Sequence, residues 1–144
     1  MITERQLHLF KSRRQRGTKP PPAFEFNVQC KIADDLRRWA TPNWIWTHFP
    51  AGERRDPITG ARLKRMGLKP GWPDLVLIPP KGHPNGRPHF LELKRAGGTL
   101  TEAQAGFRLW CMLNECPFVC VDDYKAAVTI LQQWGALRSS VHAQ

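Results

Sequence analysis

GWPDLVLIPP, at Gly71–Pro80, is followed by HFLELKR, at His89–Arg95, with the turn-forming segment KGHPNGR between them. Both apolar runs read as strands, and both carry charge where a core strand normally carries none. Asp74 opens the first run just after a proline. Glu92 and Lys94 interrupt Phe90, Leu91 and Leu93 in the second. Side chains alternate faces along a strand, so Phe90, Glu92 and Lys94 share one face while Leu91 and Leu93 point into the core. If the two strands are neighbours, Asp74 and Glu92 converge at one end of the sheet.

Two carboxylates held close in a partly dry place repel each other. A shared proton relieves that repulsion, and so does a divalent cation. Mg²⁺ takes oxygen ligands in octahedral geometry, and a pair of carboxylates with a backbone carbonyl suits it. Lys94 would then stand beside the reacting atoms, to position or deprotonate a nucleophile or to offset phosphate charge. The competing reading is a buried carboxylate–lysine ion pair with no chemistry.

Outward from these strands, Phe24, Val28, Ile32 and Leu36 fall four apart, and Ala33 and Trp39 widen the stripe. That spacing predicts a helix over 23–40 with one buried face, stopped by Thr41-Pro42-Asn43. WIWTHF, Trp44–Phe49, reads as a strand, and Ala61–Met66 as a short helical piece. Leu100–Asn114 reads as an amphipathic helix with Thr101 as N-cap. PFVCV, Pro117–Val121, reads as a buried strand, and Tyr124–Trp134 as a last helix ended by Gly135. This order indicates an α/β sandwich on one mixed sheet.

The 144 residues fit one domain, with no apolar run near the ~20 residues of a membrane span. No apolar stretch follows the basic N-terminus, so a secretory signal is not expected and the cytoplasm is the expected compartment. Net charge is +10, which favours a polyanionic partner, nucleic acid above all. Cys30, Cys111, Cys116 and Cys120 lack zinc-knuckle spacing and read as buried, reduced thiols. The segment 1–22 holds six basic residues and one acid and ends in a Pro run, which describes a basic arm on a stiff spacer. The domain is expected over 23–138, with 139–144 as a tail.

Three linked motifs resemble the virus-type replication-repair nuclease (VRR-NUC) domain of the PD-(D/E)xK nuclease superfamily. They are Gly71-Trp72-Pro73-Asp74-Leu75, Leu91-Glu92-Leu93-Lys94, and Leu100-Thr101-Glu102-Ala103-Gln104. The resemblance implies a restriction-endonuclease-like αβββαβ core and a Mg²⁺- or Mn²⁺-dependent deoxyribonuclease. It makes Asp74, Glu92 and the Leu93 carbonyl metal ligands, Lys94 the catalytic lysine, and Gln104 the helix glutamine supporting the site. Glu25, with Gln29 one turn on, matches the family's first-helix acid, and Glu53 is the other acid placed to serve. Trp72 stands where the family has a small aliphatic residue. Small members of the family, often phage-borne, imply work in replication and repair inside a bacterial or phage-infected cell, some as dimers on branched DNA.

Arg54, Arg55, Arg62, Lys64, Arg65 and Lys69 cluster before Asp74, and Arg95 follows Lys94. They are the expected phosphate contacts, giving affinity without sequence readout. Trp44, Trp46 and Trp72 are read mainly as core, and His48, His83 and His89 are given no role in the site. The expected activity is structure-selective DNA cleavage. The competing readings are a catalytically silent DNA-binding module on the same fold and a restriction-type, sequence-specific endonuclease. So small a chain has little surface for both arms of a junction, so a homodimer with two active sites is expected.

Overall fold

A computed structural model describes residues 23–50 and 55–140. The basic arm, Glu53, Arg54 and the last four residues of the tail lie outside the described residues. The elements in chain order are α1 (Ala23–Trp39), β1 (Ile45–His48), α2 (Pro57–Arg65), β2 (Leu75–Ile78), β3 (His89–Leu93), α3 (Glu102–Leu113), β4 (Phe118–Val121) and α4 (Tyr124–Gln133).

The four strands form one sheet in the order β1-β2-β3-β4. β1–β2 and β2–β3 pair antiparallel, and β3–β4 pair parallel. The parallel step follows from the crossover through α3, since a parallel neighbour cannot be reached by a tight turn. The result is the expected mixed sheet with helices on both faces.

Each face carries its own apolar cluster. Leu75, Leu77, Leu91, Leu93 and Val121 meet Val28, Ile32 and Leu36 of α1 and Ala127, Val128 and Leu131 of α4. Phe90 points the other way, to Cys111 and Cys116, with Val76, Phe107 and Phe118 packed around them. Tyr124 donates its hydroxyl to Asp35 and ties α4 to α1.

Several expectations need correction. Phe24 and Trp39 are exposed and do not widen the buried stripe of α1. A 17-residue helix runs about 25 Å, longer than strands of four or five residues, which span about 13–17 Å. α2 starts earlier than the apolar pattern indicates. Asp56 caps it by accepting from Thr59 N at 2.9 Å, Pro57 sits in its first turn, and none of its residues is buried. With no core to face, periodicity could not mark this helix; its cap chemistry does. Cys30 and Cys120 are exposed, and only Cys111 and Cys116 are buried thiols.

Candidate active site

The turn before β2 decides where Asp74 lies. β2 and β3 pair Leu75 with Leu91 and Val76 with Phe90, and one further step along this register sets Asp74 opposite Glu92. The Asp74 carboxylate accepts a hydrogen bond from Leu93 N at 2.7 Å, beyond the last ladder pair. Its backbone carbonyl accepts from Phe49 N at 2.9 Å and contacts His48 Nδ1 at 2.8 Å. Strand β1 therefore fixes the backbone of Asp74, and β3 fixes its side chain.

Gly71 sets the approach to this turn. Its φ of +89° is a conformation that L side chains rarely adopt. A Cβ there would meet the backbone oxygen of Ala103 at 2.5 Å. The turn thus lies directly on the first turn of α3, the turn that carries Gln104.

Thr101 and Gln104 form a capping box. Thr101 Oγ1 accepts from Gln104 N at 3.2 Å, and Gln104 Oε1 accepts from Thr101 N at 2.9 Å. With its oxygen committed to the cap, Gln104 turns its amide nitrogen to Glu92 and donates to Oε1 at 2.6 Å. Lys94 Nζ reaches the same oxygen at 2.8 Å. Glu92 is only 2% exposed and Lys94 is partly buried, so this is a built contact and not a surface ion pair.

The electrostatics follow from burial and crowding. Burial, then the charge of Asp74, pushes Glu92 up to about 7, against the opposing bonds and charge of Lys94 and the Asp74 backbone N–H. Asp74 is also raised, chiefly by burial, although the Leu93 N–H, Lys94 and His48 oppose the shift. For Lys94, burial pulls the ammonium down. The bond to Glu92 and the charges of Glu92, Asp74 and Glu25 outweigh it and hold the group above its ordinary value. Both carboxylates are thus held at a cost in free energy that a cation between them would remove.

Asp74, Glu92, Lys94 and Gln104 are brought together as expected. Glu25 lies near enough for its charge to act on both Asp74 and Lys94. Even so, among the described residues no three His, Cys, Asp or Glu side chains form a group able to hold a metal. One turn along α1, both side-chain atoms of the Gln29 amide are buried without a hydrogen-bond partner among the described residues. A buried amide left unpaired is costly. The two facing carboxylates and the neighbouring Leu93 backbone are an oxygen-rich set at the strand ends whose chemistry fits Mg²⁺ or Mn²⁺.

Arg62, Lys64 and Arg65 line exposed α2, and Lys69 and Arg95 are exposed as well. Arg55 instead turns its guanidinium to the Pro50 carbonyl. Trp72 is wedged between Phe49 and Phe107, with ring centroids at 5.1 and 5.0 Å, which accounts for a bulky ring at this position. Trp44 packs against His83 and His89 in the interior. His83 and His89 bond to backbone carbonyls and are structural.

His48 corrects the reading that gave it no role, because it holds the Asp74 backbone. Only strand register reveals this, since 26 residues separate the pair in sequence. Cys120 pairs with Glu92 in the β3–β4 register, so an exposed thiol flanks the site.

The fold is a restriction-endonuclease-like α/β domain, a mixed four-stranded sheet flanked by helices. More narrowly it is VRR-NUC-like: a solved structure described as "VRR_NUC domain protein" superposes with a TM-score of 0.61 at 21% identity, over 79% of this chain and 89% of that one. No protein-family model matches the sequence. No curated protein matches it either.

Proposed function

We propose that the protein is a Mg²⁺- or Mn²⁺-dependent deoxyribonuclease that hydrolyses phosphodiester bonds in structured DNA, branched or junction DNA in particular. The observation that supports this best is the convergence of Asp74, Lys94 and Gln104 on Glu92 at one end of the sheet, within a VRR-NUC-like fold. Asp74 and Glu92 would hold the cation, with the Leu93 carbonyl and the nearby Glu25 completing its surroundings. When bound, the cation would supply Lewis-acid polarisation of the phosphate.

The chain's own groups do the rest. Gln104 fixes the rotamer of Glu92. Lys94, protonated and tethered at 2.8 Å, has further N–H groups to donate to a phosphate oxygen or to the attacking water. Arg62, Lys64, Arg65, Lys69 and Arg95, with Arg54 and Arg55 near them in sequence, would take the flanking phosphates of a polyanion facing a +10 chain.

The test is cleavage of end-labelled duplex, single strand, flap and four-way junction in Mg²⁺, Mn²⁺ and EDTA, beside a binding assay. Metal-dependent cutting that favours branched substrates is the expected result. Tight binding without cutting of any substrate would replace this reading with a silent DNA-binding module. Discrete fragments from a plasmid would replace it with a sequence-specific nuclease.

A further inference from the structure

The cations so far given to DNA precede Asp74 in the chain or follow Lys94, but α3 carries one more beside the site. Three residues mark the side of this helix that lies on the sheet. Gln104 bonds Glu92, Phe107 rests on Phe90 with ring centroids 5.0 Å apart, and Cys111 is buried. Arg108 falls on the rim of that side, one turn after Gln104 and just short of one turn before Cys111. Phe107 leans toward the β2 flank, where it meets Trp72 at 5.0 Å. Arg108, about 100° further round the helix, leans the other way, over β4.

β4 sets Cys120 beside Glu92, one strand spacing of about 4.8 Å away, with both side chains on the same face. A long side chain on a helix points back toward the helix N-terminus. The Arg108 guanidinium is therefore carried toward the turn of Gln104, level with Glu92 and Cys120. Its charge acts on the Cys120 thiol together with those of Glu92, Lys94 and Asp74, which gathers all four around one exposed thiol. Unlike Lys94, Arg108 is uncommitted. It is exposed, and among the described residues its side chain makes no ion pair and no hydrogen bond. Glu92 Oε1 already meets Gln104 and Lys94, so the arginine is not needed to hold that carboxylate.

We propose that Arg108 is a substrate-binding residue of the active site, whose guanidinium takes the DNA phosphate next to the one cleaved, on the β4 flank of Glu92. The proposal rests on the nuclease reading. The strand order puts Asp74 on the β2 side of Glu92 and Cys120 on the opposite side. A DNA strand laid across this end of the sheet passes both flanks, and the two acids between them repel its phosphates. Arg108 supplies the opposing charge on the β4 flank. A guanidinium fork takes two oxygens of one phosphate, a geometry that a lysine lacks. Arg108 thereby fixes which phosphate faces Glu92, through position and not through base identity.

The test pairs this residue with single phosphates of the DNA. A flap substrate carries one neutral methylphosphonate at a time, scanned through the branch and along both arms. Binding is read by fluorescence anisotropy in EDTA, and single-turnover cleavage in Mg²⁺. On unmodified DNA, Arg108→Ala should bind about ten- to a hundredfold more weakly, the range for a lost charge-assisted hydrogen bond, and Arg108→Lys should recover only part of this. Arg138→Ala removes the same charge elsewhere on the surface and should change binding by less than about twofold. Arg108 is exposed, so its variants should fold as wild type does, which circular dichroism checks. At one position the neutral linkage should weaken wild type as much as Arg108→Ala does, and should weaken Arg108→Ala no further. An Arg108→Ala scan that follows wild type at every phosphate would overturn the assignment, as would a loss no larger than that of Arg138→Ala. Coupling to one phosphate without cleavage by wild type would keep Arg108 as a phosphate contact and remove the nuclease reading. Cleavage without coupling would do the reverse.

Discussion

Gln104 and Glu92 are joined by a 2.6 Å hydrogen bond, and the same glutamine closes the N-terminal cap of α3 through its other atom. One side chain therefore fixes both the helix and the carboxylate. Two substitutions separate the roles. Gln104→Glu keeps an acceptor for the Thr101 N–H but sets a second acid against Glu92, while Gln104→Ala loses both. We expect the Glu variant to lose cleavage and to retain nearly all its thermal stability at acidic pH, where the two acids can share a proton. The Ala variant should lose cleavage together with about 1–3 kcal/mol of stability, from the cap and the charged hydrogen bond. Chemical denaturation beside a cleavage assay measures both. Full activity in Gln104→Ala would remove Gln104 from the site.

Lys94 sits 2.8 Å from Glu92 and is held protonated by the surrounding acids. Lys94→Ala should lower the single-turnover cleavage rate by about a hundred- to ten-thousand-fold, the range for removing a positioned proton-transfer group. DNA affinity should hardly change, because the other basic groups remain. A variant that cuts at the wild-type rate would leave Lys94 as no more than a buried ion-pair partner.

Glu92 gives a pH prediction with a definite sign. Its folded value of about 7 lies above its ordinary 4.5, so the native state favours the proton more than the unfolded chain does. This contribution to stability is complete below about pH 4.5 and is lost as pH rises through 7. In EDTA, wild type should lose stability relative to Glu92→Gln between pH 5 and pH 8, by up to about 3 kcal/mol. Mg²⁺ should stabilise wild type more at pH 8 than at pH 5, because it competes with the proton. Cleavage at limiting Mg²⁺ should rise with pH, with a midpoint that falls as Mg²⁺ is increased. Melting curves with an identical pH trend in wild type and Glu92→Gln would contradict the assignment.

The basic side chains of α2 should act on affinity alone. Arg62→Ala/Arg65→Ala should weaken binding to all DNA sequences about equally. It should also reduce the slope of log K against log salt by about 0.9 for each phosphate that the variant no longer neutralises. An unchanged slope would place the DNA on another face.

Much of this was legible in the strands. Asp74, Glu92 and Lys94 stood out because charge in an apolar run of period two has few explanations. The capping box could be read from Thr101 and Gln104 because capping is local chemistry. What could not be read depended on register and on helix placement. The hold of His48 on the Asp74 backbone exists only once β1 pairs with β2. Phe24 and Trp39 stand in the first and last turns of α1, and their exposure is set by tertiary placement, which one helix's pattern does not carry. The second half of α3 has the composition of a buried face, so the exposure of Leu109, Trp110, Met112 and Leu113 could not be read from it.

Gly71 joins the Asp74 turn to the Gln104 helix, and it offers the sharpest structural test. Two penalties act on Gly71→Ala. The φ of +89° disfavours any L side chain, and the new Cβ would meet the Ala103 backbone oxygen at 2.5 Å and carbonyl carbon at 2.6 Å. Gly82 shares the same φ but has nothing within 4 Å, so Gly82→Ala isolates the conformational penalty, about 1–2 kcal/mol. Gly71→Ala should cost clearly more, about 3–5 kcal/mol, as expected where backbone must move. It should also abolish cleavage, since Asp74 and Gln104 would separate. Adding Ala103→Gly should not rescue it. That change removes only the Ala103 Cβ, at 2.9 Å, and leaves the two nearer backbone atoms in place. Equal melting temperatures for Gly71→Ala and Gly82→Ala, or rescue by Ala103→Gly, would show that the turn does not bear on α3 through its backbone.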